Sequence, residues 1–184
     1  MNFCNRFFGH LRTVNKHRRE VRILMRKCGL PGWKHDLSKY SPVEFWNGVK
    51  YYTGTASPHL GERKDKGYSD AWLHHKGHNK HHAEYWCDIV DGKTQPIDMP
   101  IDYFVEMICD RIAASKIYLK DNFTSAAPLA YYQSHIDENQ FSDRTRSMLH
   151  VALFYYSKMT EPEFFKWIKT IRKDPSKCCL QAFV

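Results

Sequence analysis

From Phe7 the apolar positions advance as Phe7, Leu11 and Val14, then Val21, Leu24 and Cys28. Steps of three and four residues put them on one face of a helix, and His17 fills the gap in that stripe. Gly29 supplies a C-terminal stop. A Leu-Pro-Gly connection then leads to Trp33 and the adjacent pair His35-Asp36. Ser41-Pro42-Val43-Glu44 has the form of a capping box with proline at the first helical position, which predicts a second helix from about Pro42 to Tyr52, ended by Gly54. Residues 55–68, with Pro58, Gly61, Gly67 and the mixed-charge run Glu62 to Lys66, read as a solvated excursion with one short helical turn that can flank a substrate mouth. Ser69 can cap a further helix carrying Trp72, Leu73 and the run HHKGHNKHH at 74–82, followed by Tyr85 and Trp86. Unbroken, it puts His74, His78, His81 and His82 on one face with His75 and Asn79 beside it; a break at Gly77 leaves instead a ligand-bearing loop between two short helices.

Residues 88–98 form a polar loop turning at Asp91-Gly92. Pro100 opens a long helix to about Lys120, whose stripe Tyr103, Met107, Ala114, Ile117 is interrupted by Asp110. Helices follow over about Pro128 to Ser134 and Ser142 to Lys158, and the capping signal Thr160-Glu161-Pro162-Glu163 starts a last one through Trp167 and Ile171. Met148, Leu149, Ala152, Tyr155 and Tyr156 make a core face, while Asp174 to Val184 carries no pattern. With no alternating strand, internal repeat, glycine-rich phosphate loop or Ser-His-Asp motif, the expected architecture is an all-α helical bundle. It forms one domain over 1–184, with a chemistry-bearing part at about 7–120 and a scaffold at about 125–173.

Composition narrows the function classes. At 42% hydrophobic and 15% aromatic, 184 residues can bury one sizeable core, which argues against disorder. An excess of 28 Lys+Arg over 20 Asp+Glu gives +8 and favours anionic partners. No apolar run approaches the roughly 20 residues needed to span a bilayer, and the opening MNFCNRFFGHLR lacks the pattern of a signal peptide, so a cytoplasmic protein is expected. The cysteines, Cys4, Cys28, Cys87, Cys109, Cys178 and Cys179, form no CxxC pair and read as reduced, mostly buried thiols rather than zinc ligands.

His35-Asp36 offers a nitrogen beside a hard oxygen, a pair that suits iron, manganese or zinc better than calcium or magnesium. The histidines of 74–82 lie among Trp72, Leu73, Tyr85 and Trp86, so at least two face inward, where neutral imidazoles need a metal or a hydrogen-bond network. Asp110 is expensive to bury on an apolar stripe unless paired or metal-bound, and its neighbour Arg111 points about 100° away around the helix. The plainer reading of His17 is a core histidine bonded to a carbonyl.

A His on one helix, an adjacent His-Asp, further histidines and a later Asp form an order that resembles the HD-domain superfamily of metal-dependent phosphohydrolases. His35-Asp36-Leu37-Ser38-Lys39 looks like the superfamily's His-Asp motif, and Cys109-Asp110-Arg111-Ile112-Ala113-Ala114 like the segment bearing its final aspartate. The runs HDLSKYSPVEF, AWLHHKG and EMICDRIAASK are similar to those of a family of bacterial and phage proteins without established activity, over roughly residues 15–135. The resemblance implies a fold of HD-domain type and a first metal held by His17, His35, Asp36 and Asp110, with His10 the competitor of His17. It also implies a second metal held by Asp36 and two of His74, His75, His81 and His82. Two such ions polarise a phosphoryl oxygen and lower the pKa of a water between them. Lys39, Lys76, Lys80 and Arg111 lie next to these ligands in sequence and either bind phosphate oxygens or belong to a generic basic surface; Asp36, Lys39, His75 and Arg111 are the candidates to take part in the chemistry. The expected function is hydrolysis of a nucleotide or other small phosphorylated substrate with one or two iron, manganese or zinc ions. The alternatives are an HD-type di-iron oxygenase and a non-catalytic protein binding nucleic acid or a partner. Nucleic acid is the weaker expectation because the basic residues, such as Arg18-Arg19, the 62–66 run and Arg144 to Arg146, are dispersed. A closed structural zinc site would call for more cysteine.

Overall fold

The computed structural model describes residues 1–135 and 140–178. Helix α1 spans Phe3–Lys27, beginning four residues before the predicted stripe because the Asn2 side chain accepts the Asn5 N–H at 2.9 Å and caps it. It ends at Cys28, and Gly29 takes φ 80°, a left-handed conformation that costs glycine nothing. The His-Asp segment leads into a 3-10 turn, Leu37–Tyr40, and then α2, Pro42–Lys50. Ser41 caps α2 by accepting the Glu44 N–H at 3.4 Å, but the Glu44 carboxylate turns inward, so only half of the expected capping box forms.

The excursion after Gly54 holds a full helix, α3, Pro58–Lys66, rather than a single turn. Its charge run is not simply an exposed face, since Glu62 is fully buried and accepts from Ser69 Oγ at 2.6 Å, Lys66 Nζ at 3.0 Å and the Ala71 N–H at 3.3 Å. Helix α4, Asp70–His78, is capped by Ser69, runs through Gly77 and stops one residue later. There Asn79 turns extended and its side-chain amide donates to the His75 carbonyl at 2.7 Å. That early stop changes the histidine geometry: His75 and Asn79 turn inward, and His81 and His82 follow on a separate turn.

Residues expected as a polar loop form a hairpin, β1 Cys87–Val90 against β2 Lys93–Pro96, antiparallel with Val90 opposite Lys93. Its turn residues Asp91 and Gly92 both have positive φ, 53° and 74°, as a tight hairpin turn requires. No burial alternation announced these strands, because both of them lie exposed at the surface. Four helices follow: α5, Ile101–Leu119; α6, Ala127–His135; α7, Asp143–Lys158; and α8, Glu161–Lys173, opened by the Thr160/Glu163 capping box. The protein is all-α in class, with this hairpin the one sheet among the described residues.

Helix α5 packs against α1, α6, α7 and α8. Val105, Ile108, Cys109 and Ile112 form its core face and meet Val21 and Leu24 of α1, Leu149 and Leu153 of α7, and Phe164 and Ile168 of α8. Burial of side chains of this size contributes about 1.5–3 kcal/mol each. The stripe expected to be apolar lies one step around the helix, where Met107, Asp110, Ala114 and Ile117 border a cavity instead. Cys28 and Cys109 are buried with their sulfurs 3.7 Å apart, whereas Cys4, in the first turn of α1, and Cys87, in the hairpin, are exposed and Cys178 is half-buried. The thiols are therefore less uniformly buried than expected, and Cys179 lies outside the described residues. No helix among the described residues is long and apolar enough to cross a membrane.

Glu161 ties three helices together, accepting from Lys116 Nζ of α5 at 2.6 Å and Lys27 Nζ of α1 at 2.9 Å. Burial raises its pKa, but the two lysines outweigh burial and hold the carboxyl at about 2, against an ordinary 4.5. A depressed carboxylate stabilises the fold above its unfolded pKa, and this contribution disappears as the pH falls from 4.5 towards 2. Urea midpoints should therefore fall more for wild type than for Glu161→Gln between pH 6 and pH 3; an equal loss in both proteins overturns this account. Leu149→Ala should cost about 2–5 kcal/mol in the same measurement at neutral pH.

Candidate metal centre

Three parts of the chain converge on Asp36. Helix α1 brings His17, α5 brings Asp110, and α4 with its following turn brings His75, His81 and His82. Asp36 itself is buried and sits at φ 53°, a left-handed conformation that aspartate tolerates better than most residues. Its two oxygens face different partners. Oδ2 lies 3.6 Å from His17 Nε2 and 3.4 Å from His35 Nε2, while Oδ1 lies 3.4 Å from His75 Nε2 and 3.5 Å from His81 Nε2. Asp110 Oδ1 closes the first group at 2.8 Å from His17 Nε2 and 3.6 Å from His35 Nε2. Two donor sets result, His17-His35-Asp36-Asp110 and Asp36-His75-His81-His82, each with its ligand atoms within 4.8 Å of one another and Asp36 common to both.

Carboxylates behind the imidazoles orient them. Glu106 Oε1 lies 2.8 Å from His35 Nδ1 and 3.3 Å from His81 Nδ1; Glu44 lies 2.7 Å from both His75 Nδ1 and His74 Nδ1. An ionised carboxylate can only accept, so each Nδ1 carries the proton, and the Nε2 atoms of His35, His75 and His81 are left to face Asp36. Sequence reasoning passed over both glutamates. Glu44 looked like a cap, and Glu106 was legible only as the residue one turn before Asp110, on the same helix face.

The donor sets fit a cation on two grounds. Asp36 Oδ1, His81 Nε2 and His82 Nε2 are buried without a hydrogen-bond partner among the described residues, and all three belong to the second set. Each such orphan costs about 1–3 kcal/mol, which a shared ion removes. Charge points the same way. Burial lowers the pKa of His35, yet Asp36, Asp110 and Glu106 outweigh it and push the imidazole up to about 10. Burial raises Asp36 and Asp110, but the surrounding histidines, with Lys39 at Asp36, hold both well below the usual carboxylate range. The acids here hold a proton on the His35 imidazole that a divalent ion would displace.

The remaining candidates divide clearly. Lys39 Nζ stands 3.5 Å from Asp36 Oδ2. Arg111 does not pair with Asp110; it borders the cavity with no hydrogen bond or ion pair among the described residues, its Nε buried and its Cζ 6.0 Å from the Phe141 ring. The structure does not bring His74 into either set: its Nδ1 donates to Glu44 and its ring stacks on His78 at 4.0 Å. His10 also stays apart, packed over Gly48, where an added Cβ would lie 2.2 Å from its ring. Lys76 and Lys80 do not border the cavity, and Lys80 Nζ sits over Tyr85 at 5.5 Å.

Both donor sets open on a cavity of about 710 Å³, also bordered by Lys39, Arg111 and the Gly54–Leu60 segment. Tyr52, Trp72, Tyr118, Tyr131, Tyr132 and Phe141 supply aromatic wall. Fold and site together define an all-α protein with buried His/Asp/Glu groups that can hold a metal ion. The chain belongs to a family of unknown function (DUF5662), which matches residues 6–153 and so includes every residue of both donor sets. Searches of curated proteins and of solved structures returned no match.

If the outer carboxylates position the ligands, Glu44→Gln and Glu106→Gln should each weaken metal binding about 10–100-fold by calorimetric titration while circular dichroism stays that of wild type. Unchanged affinity in both would rule out this role.

Proposed function

We propose that this protein is a metal-dependent phosphohydrolase of HD-domain type, acting on a small phosphorylated substrate such as a nucleotide with one or two iron, manganese or zinc ions. The observation that carries the reading is the Asp36 carboxylate, shared by two donor sets that border a cavity with Arg111, which has no hydrogen-bond or ion-pair partner among the described residues. Nitrogen and carboxylate donors without thiolate suit those ions. When bound, they supply Lewis-acid polarisation of a phosphoryl oxygen and a water of lowered pKa.

The chain's own residues do the rest. His17, His35, Asp36 and Asp110 hold one ion; Asp36, His75, His81 and His82 hold the other. Arg111 gains from a phosphate the partner it lacks, since its guanidinium stays charged even when buried and two of its N–H groups can meet two phosphate oxygens. Lys39, beside Asp36, neutralises a further oxygen. Trp72, against His75 and His82 at 5.7 and 4.9 Å between ring centres, limits the access of bulk water to the second set.

Elemental analysis of tag-free protein should find one or two of these ions per chain in wild type and none in Asp36→Ala or Asp110→Ala at retained helicity. The wild-type protein should release inorganic phosphate from small phosphate esters, and Arg111→Gln should raise KM more than it lowers kcat. Bound iron with oxygen uptake, and no phosphate released from any ester, would overturn the hydrolase reading in favour of an oxygenase.

A further inference from the structure

Resting on the phosphohydrolase reading, we infer that the substrate is a monophosphate ester of a bulky aromatic alcohol, not a polyphosphate. The first argument is charge. Among the described residues, Lys39 and Arg111 are the lysine and arginine that border the cavity. With two divalent ions they carry six positive charges against five carboxylates: Asp36, Asp110, Glu44 and Glu106 at the centre, and Glu84 on the cavity wall. One positive charge is left over. A phosphomonoester, with about two negative charges, takes the site only to about one net negative charge. A triphosphate brings further anionic groups for which the walls offer acid and aromatic surface instead of cations.

The second argument is where the aromatic surface begins. Phe141 lies 6.0 Å from the Arg111 guanidinium, so a phosphate held by Arg111 has its ester substituent beside a ring. Tyr118 and Tyr131 continue that wall, both as substantially exposed side chains. On the other flank Trp72 closes against the second donor set. The cavity is far larger than a phosphate and matches the size of pockets that enclose drug-sized ligands. Offset or edge contacts with these rings contribute about 0.5–1.5 kcal/mol per pair beyond burial, and only an aromatic substituent collects them. The reaction is a plain hydrolysis. A water oxygen bonds to phosphorus, the bond between phosphorus and the aryl oxygen breaks with its electron pair going to that oxygen, and a proton from the water completes the phenol.

The test compares phenyl phosphate, 1-naphthyl phosphate and inorganic tripolyphosphate as substrates of the metal-loaded full chain. In parallel, calorimetry measures the binding of methylphosphonate and 1-naphthylmethylphosphonate. The naphthyl ester should exceed the phenyl ester about tenfold in kcat/KM, the effect of burying roughly 50 Å² more apolar surface. Tripolyphosphate should be the poorest substrate, and the naphthyl phosphonate should bind at least about tenfold tighter than methylphosphonate. Tyr118→Ala and Tyr131→Ala, at exposed positions where folding tolerates truncation, should each bring the naphthyl-to-phenyl ratio towards one. Equal ratios in wild type, or faster cleavage of tripolyphosphate, overturn this inference and leave the hydrolase reading standing. Phosphate release from a nucleoside monophosphate but from none of the three overturns this inference alone, and release from no ester at all overturns the hydrolase reading and this inference with it.

Discussion

A carboxylate shut away from water is costly unless something replaces its hydration, and Asp36 is a nearly fully buried one. Everything around it answers that constraint. Four imidazoles face its two oxygens, two on each side, and Lys39 stands next to Oδ2. The imidazoles cannot be protonated on every nitrogen at once without crowding positive charge. Burial together with His81 and His75 pushes His82 well below its ordinary range, while His35 is pushed up by its three acids. The pKa values of its imidazoles are thus driven apart, and three of its buried polar atoms, Asp36 Oδ1, His81 Nε2 and His82 Nε2, have no hydrogen-bond partner among the described residues. A polar cluster half satisfied in this way is less stable than an apolar core of the same volume. Its presence between helices that pack so well elsewhere is the strongest physical sign of a bound cation.

The fold supplies the precision that such a site needs. His17 rides on the same helix as Val21 and Leu24, and Asp110 directly follows the buried Cys109, so two ligands are fixed by the packing of α1 on α5. The second set is built on less regular chain, but Glu44 and Asn79 lock it. Glu44 accepts from His75, and Asn79 bonds both Ser38 Oγ and the His75 carbonyl at 2.7 Å, joining the His-Asp segment to the end of α4. The outer carboxylates thus do for the loop ligands what core packing does for the helical ones.

The helices with strong periodicity and caps were legible in the sequence: α1, α2, α5, α7 and α8 fall close to where their apolar steps and capping residues put them. His17 and Asp110 stood out against apolar stripes, but their grouping with His35 and Asp36 came from the resemblance of the motifs, and the structure brings the four together. The failures have physical causes. Helix α3 was hidden because Glu62 looks like surface charge and is in fact a buried acceptor for the start of α4. The hairpin was hidden because neither of its faces is buried. Histidine spacing misassigned His74, since helical periodicity holds only until Asn79 leaves the helix, and beyond that point facing is decided by tertiary bonds. On α5 the polar interruption at Asp110 marked not a flaw in a core stripe but the edge between core and cavity.

The left-handed backbone at Asp36 shows how tightly the His-Asp segment is determined. For most side chains such a conformation costs about 1–2 kcal/mol, and it persists only where the surroundings over-determine it. Here Arg18 supplies that determination: its guanidinium donates to the carbonyls of His35 at 2.8 Å and Trp33 at 3.1 Å and to the Tyr40 hydroxyl at 2.9 Å. One side chain thereby holds the backbone just before Asp36 and the Tyr40 side chain after it, from the helix that also carries His17. His17 and the segment that carries Asp36 are consequently positioned from the same helix.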